Sequence, residues 1–277
     1  MALTVNTNTA AINALNNLNK TSRSLGSSFQ RISSGLRISE AKDDAAGLGV
    51  AENLDASEQS ARQAMRNTND GLSLIQVAEG ATAEVANIIK RMRELAVQSA
   101  SETLDNDERQ YIQDEYLQLA SEVDRIASVT EFNGVQLVDG GVTQISVQVG
   151  ISDSAADQID LAMGSLQATV LGVDTGSIDL STASGAVSAL STLDTALQDV
   201  NAYRSDYGAM ANRLDSTLNN LETYTENIAA AESRIRDADF AYETAEMSKF
   251  QIMQQAGISV LSQANQISQG VLSLLQG

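Results

Sequence analysis

Ala11, Leu15, Leu18, Ser22, Leu25, Phe29, Ile32 and Leu36 follow one another at spacings of 4-3-4-3-4-3-4. A largely apolar seam with a 3.5-residue period is the requirement for coiled-coil packing, and it is incompatible with a strand, whose side chains alternate every second residue. Proline, the strongest helix breaker, is absent, where average usage predicts roughly 14 residues in a chain this long. The same stepping recurs downstream. It runs through Ile75, Ala78, Thr82, Val85, Ile89, Met92 and Ala96, then Ile112, Tyr116, Leu119, Val123 and Ile126. It returns at Leu214, Leu218, Leu221, Thr225, Ile228, Glu232 and Ile235, and finally at Met253, Ala256, Val260, Ala264, Ile267, Val271 and Leu274. The chain therefore reads as mainly α.

Interruptions in the pattern place the joints. Ser33–Gly35 and Asp43-Asp44 loosen the first seam, which predicts a break near residues 34–46. Gly47-Leu48-Gly49 lacks the remaining glycine and the lysine of a phosphate loop and reads as a flexible helix joint. A second helix is expected from about Asp44 to Ala100, followed by a turn over Ser101–Asn106. Asp105 with Glu108 three residues later forms a capping-box signature for a third helix. Then the period changes. Val135–Val138 and Thr143–Val149 suit two strands joined by a tight turn at Asp139-Gly140. Residues 150–185, rich in Ser, Asp, Gly and Thr, read as surface loops with room for one further strand pair. Helical pattern resumes near Gly185, with a joint near Arg236–Phe240. The expected architecture is a long antiparallel helical rod with coiled-coil termini and a small β-hairpin region near 132–149.

Charge is distributed unevenly. The formal net charge is −19, yet the first charged residue is Lys20 and the last is Lys249. Residues 1–100 are net neutral, 101–200 carry −15 and 201–277 carry −4. Such an acidic field disfavours nucleic acid and anionic membranes as partners. The uncharged stretch Phe250–Gly277 contains seven Gln and four Ser, too polar for a membrane span. No secretory signal is read at the N-terminus, which lacks a basic region. Without Cys or His, the usual zinc, copper and haem ligands and an ordinary Ser-His-Asp triad are missing. Asp105–Glu108 lacks the glycine and later ligands of a calcium loop. Neither catalysis nor a cofactor is expected. The two neutral, amphipathic ends point instead to self-assembly, because uncharged faces stack beside identical copies without like-charge repulsion. The expected assembly seam comprises Leu15, Leu18, Leu25, Phe29, Ile32, Leu36, Val260, Ile267, Val271 and Leu274.

Specific segments then carry a family likeness. Ala2–Asn8, Ala10–Leu18, Ser34–Gly47 (SGLRISEAKDDAAG) and Arg93–Ser99 (RELAVQS) resemble flagellin. So do Phe132-Asn133-Gly134, Arg234–Asp239 (RIRDAD), Gln254–Gly257 (QQAG) and Val271–Leu275 (VLSLL). The likeness spans roughly residues 1–150 and 190–277 and is that of a minimal flagellin, with the large exposed domains nearly absent. It implies an extracellular structural subunit of a helical motility filament. Residues 1–44 and 236–277 are then expected to pair as the inner core domain, and 45–235 to form the outer helical domain with short variable loops near 150–185. The resemblance implies export by the flagellar type III apparatus and an export chaperone. It also implies junction and cap proteins as partners beside the chain itself. A hook–filament junction protein, or another type III-secreted coiled-coil structural protein, is the alternative. By the same resemblance, Arg91, Leu95 and Glu115 stand where flagellins engage a flagellin-sensing Toll-like receptor, with Lys90 where receptor-active relatives more often carry Gln. Val271, Leu272, Leu274 and Leu275 resemble the tail read by cytosolic sensors.

Overall fold

The computed structural model describes residues 7–276, with side chains to residue 266. Helices α1 (Thr9–Ser34), α2 (Ala45–Ser99) and α3 (Asn106–Val129) come first. Four short strands follow: β1 (Glu131–Phe132), β2 (Val135–Gln136), β3 (Gln144–Gln148) and β4 (Gln158–Ala162). Helices α4 (Ala168–Leu171), α5 (Ala183–Arg236) and α6 (Phe240–Gln276) complete the chain. The chain forms two compact units. One holds α1, the start of α2 up to Glu58, and the chain from Asn227 onward; the other spans Gln59–Glu226.

Local chemistry explains where the helices begin and end. The side chain of Asn8 accepts from the Ala11 N–H at the head of α1, and Gly35, at φ 73°, closes its end in the left-handed conformation. Asp44 Oδ1 accepts from the N–H groups of Ala46 and Gly47 at the start of α2, and Asp239 Oδ1 does the same for Ala241 and Tyr242 at the start of α6. The expected capping box opens α3: Glu108 N–H donates to Asp105 at 2.8 Å and Asp105 N–H to Glu108 at 3.2 Å. Gly47 is not a flexible joint. It lies inside α2, where a Cβ would come within 2.6 Å of the Asp44 carboxylate and 2.8 Å of the buried Ile38 side chain.

Within the Gln59–Glu226 unit, every expected seam residue of α2 from Ile75 to Ala96 is buried. So are Ile112, Tyr116, Val123 and Ile126 of α3, and Leu214 and Leu221 of α5. Two other expectations fail there. Val135–Val138 does not pair with Thr143–Val149; β1 pairs with β2, and β3 with β4, each antiparallel. Asn133 (φ 51°) and Gly134 (φ 79°) turn the first hairpin with two consecutive positive φ angles, a geometry that Asn-Gly favours. Asp139-Gly140 does turn the chain, but the strand after it finds its partner at 158–162.

The segment 150–185 is not a set of surface loops. Ile159, Leu161, Met163, Leu166, Leu171, Val173, Ile178 and Leu180 are buried in the same core as α2 and α3. Irregular backbone can be buried only if its polar groups find partners, and side chains from the helices supply them. Tyr116 Oη donates to the Val173 carbonyl at 2.8 Å, Ser99 Oγ to the Leu180 carbonyl at 2.5 Å, and Leu180 N–H to Gln113 Oε1 at 2.6 Å. Ala168 N–H donates to Asp124 at 2.8 Å, and Gly164 N–H to Tyr207 Oη at 3.1 Å.

Candidate assembly surface

The α1–α6 pair is antiparallel. Asn8 Nδ2 donates to the Ala264 carbonyl at 3.0 Å at one end, and at the other Leu36 bridges Asp237. Between them, a Cβ on Gly257 would sit 3.3 Å from Leu18 Cδ1, so the glycine lets the helices approach closely at that level. The inward residues of α1 are Ala11, Ala14, Leu18, Thr21, Leu25, Ser28 and Ile32, and those of α6 are Phe250, Gln254, Gly257, Leu261 and Ala264.

Of the seven expected seam residues whose side chains are described, three lie outside this seam. Leu18, Leu25, Ile32 and Leu36 are at least half covered, as expected, but Leu15 and Phe29 are exposed at 48% and 65%. Their places are taken by the smaller Ala14, Thr21 and Ser28, one residue earlier in each turn. Val260, at 56% exposed, likewise points away from α1, as do Met253 and Ile252. Ile267, Val271, Leu272, Leu274 and Leu275 lie outside the residues whose side chains are described. Helix α1 thus carries two apolar stripes. The one in which small side chains alternate with Leu18, Leu25 and Ile32 packs within the subunit, and the one with Ile12, Leu15 and Phe29 faces out.

The joint beside this pair is polar. Arg37 N–H donates to the Arg236 carbonyl at 2.7 Å, and the Arg37 guanidinium to the Ile235 carbonyl at 2.6 Å, satisfying carbonyls that a helix end leaves free. Arg31 and the buried Glu243 form an ion pair at 3.3 Å. Elsewhere, α2 and α3 bring Arg91 against Glu115 at 2.8 Å, with Glu94 also paired to Arg91 at 3.0 Å. Hydrogen bonding to Glu115, then to Glu94, raises the Arg91 pKa above its usual range. Leu95 does not join this surface: it is 1% exposed and packed in the core. Spacing of four residues placed Arg91 and Leu95 on one face, but the core boundary passes between them.

Two family matches fall on this framework. The N-terminal helical region of bacterial flagellin matches residues 5–143, and the C-terminal helical region matches residues 190–275. The chain belongs to the bacterial flagellin family. A flagellin of Halalkalibacterium halodurans is 42% identical over 274 residues, covering 98% of this chain and 99% of that one. The flagellar filament 33 kDa core protein of Treponema phagedenis is 39% identical with the same coverage. Flagellin A of Vibrio anguillarum is 34% identical, but 379 aligned positions are needed to cover both chains fully, so the present flagellin is a minimal form. The crystal structure of Bacillus cereus flagellin superimposes with a TM-score of 0.50 at 35% identity, covering 60% of this chain and 94% of that one. This flagellin is a structural subunit that self-assembles into the bacterial flagellar filament for motility, and the hook–filament junction alternative is not favoured. Its family is structural rather than enzymatic. No helix among the described residues is long and apolar enough to cross a membrane.

Proposed function

We propose that filament growth runs through the outward apolar stripe of the α1–α6 pair, with Ile12, Leu15 and Phe29 on α1 and Ile252, Met253, Ile258 and Val260 on α6. The observation that supports this reading is their exposure, between 46% and 66%, on helices whose ends carry no charge before Lys20 or after Lys249. Fully burying such a side chain contributes about 1.5–3 kcal/mol. Here each is already partly covered, so seven of them together give on the order of 5–10 kcal/mol. That is comparable with the roughly 4–15 kcal/mol lost when a subunit gives up its rotational and translational freedom. Growth by this face is therefore favourable only when several neighbours contribute, which suits a polymer over a dimer.

On this reading, residues 1–44 and 236–277 line the filament interior. Export through the flagellar type III apparatus, an export chaperone that covers the stripe beforehand, junction and cap proteins at the filament ends, and an extracellular location follow from the family resemblance. The Toll-like receptor reading narrows to Arg91 and Glu115, because Leu95 serves the core. For the tail, cytosolic-sensor recognition rests on the resemblance of Val271–Leu275 alone.

The test is seeded polymerisation of purified full-length chain carrying Phe29→Glu or Val260→Glu, followed by sedimentation and electron microscopy. Both variants are expected to keep wild-type circular dichroism and to lose pelletable filaments, since an unpaired charge buried at an interface costs several kcal/mol. Filament yield equal to wild type in both would remove the outward stripe from the contact.

A further inference from the structure

Packing alone specifies the register of the α1–α6 pair poorly. The inward residues repeat by heptads, with Ala11, Leu18, Leu25 and Ile32 alternating with Ala14, Thr21 and Ser28 on α1. Facing them, α6 offers Gly257 and Ala264 alternating with Gln254 and Leu261. A slip of seven residues seats Leu25 instead of Leu18 against Gly257, and Leu18 against Ala264, so that a leucine still meets a small residue at each of these two contacts. A neutral heptad seam of this kind is prone to alternative registers unless a polar group selects one.

One position breaks the repeat. Glu243 is 4% exposed, and it is the one charged residue that is buried among the described residues of α1 and α6. Its Oε1 lies 3.3 Å from Arg31 Nη1. A one-heptad slip replaces Arg31 opposite Glu243 with Ser24 or Ile38, neither of which carries charge, and leaves a carboxylate buried without its cation. We propose that Arg31 and Glu243 are a register-specifying pair: the buried carboxylate and its partly covered cation select the single alignment of α1 on α6 that brings Leu18 onto Gly257. The backbone bridge between Leu36 and Asp237, five residues after Arg31 and just beyond the end of α1, is compatible with the same register.

The absence of cysteine from the chain makes the register directly readable by introduced pairs. Full-length chain with Leu18→Cys and Gly257→Cys reports the native alignment, and Leu25→Cys with Gly257→Cys or Ala11→Cys with Gly257→Cys reports a slip in either direction. Each is built on the otherwise unchanged chain, on Glu243→Gln, and on the charge swap Arg31→Glu with Glu243→Arg. Intrachain disulfide yield is measured after oxidation, and single-cysteine chains provide the interchain background. The unchanged chain is expected to cross-link in the native pair alone. Glu243→Gln is expected to raise the slipped-to-native ratio about tenfold or more, the step that a lost buried partner allows, and the charge swap to bring it back towards the original value. An unchanged ratio in Glu243→Gln, or a charge swap no better than Glu243→Gln, overturns the proposal. It also falls if none of the three pairs cross-links in Glu243→Gln, because the ion pair then holds the helices together without selecting their alignment.

Discussion

Tyr116 ties the irregular segment after β4 to helix α3 through a single hydroxyl, which donates to the Val173 carbonyl from a fully buried ring. Burial, with a smaller contribution from Asp174, pushes the phenol well above its usual range. Burial also raises Tyr207, which accepts from Gly164 N–H. The sign of the pH dependence follows directly. A group whose folded pKa is raised gives stability that is complete below its unfolded value, about 10 for tyrosine, and is lost as pH climbs towards the folded one. Thermal stability is therefore expected to fall on going from pH 7 to about pH 11. Tyr116→Phe removes the ionising group and should flatten that fall. It should also cost about 1–2 kcal/mol at pH 7, since a buried carbonyl loses its donor. Melting curves at the two pH values check this, and an equally steep alkaline loss in the variant would show that Tyr116 is not the titrating group. Two residues expected from the family resemblance to share a surface show the same dependence on place: Arg91 and Leu95 share a helical spacing but not an environment, and exposure was not readable from spacing.

Among the secondary-structure elements, α2, α3 and α5 were legible because most of their large apolar residues recur on one face, so the pattern and the core largely coincide. The start of α3 was equally legible, since a capping box is local chemistry between Asp105 and Glu108. Asp105→Ala is expected to cost about 1 kcal/mol and to lower the melting midpoint, as scanning calorimetry would show; an unchanged midpoint would mean that the cap contributes nothing. The β region was misread for a different reason. Asn133-Gly134 carries the strongest short-range hairpin signal in the chain, yet its strands are two residues each and present no alternation to detect. Strand β3 alternates visibly but reaches past nine residues to β4, and which strand it pairs with is not fixed by local pattern. Outside β4, segment 150–180 has no regular period. Its burial depends on hydrogen bonds from Ser99, Gln113, Tyr116 and Asp124, whose partners are far away in sequence.

For the molecule as a whole, charge divides unevenly between the two units. The Gln59–Glu226 unit holds 9 basic and 25 acidic side chains, whereas the α1–α6 pair ends in neutral sequence. Deleting residues 258–277 removes Leu261 and Ala264 from the inward seam and Val260 from the outward stripe. The truncated chain is expected to form no filaments while keeping the helical circular dichroism of the Gln59–Glu226 unit; pelletable filaments from it would show that the tail is dispensable. By itself the sequence determined that this protein is helical, that its neutral ends are built to be buried, and that it carries the segments of a flagellin, because period, charge and local caps are written residue by residue. The tertiary structure alone decided which of two apolar stripes on α1 packs inside the subunit. Ala14, Thr21 and Ser28 look less hydrophobic than Leu15 and Phe29, but only small side chains let two helices close on each other, and that selection depends on the partner helix.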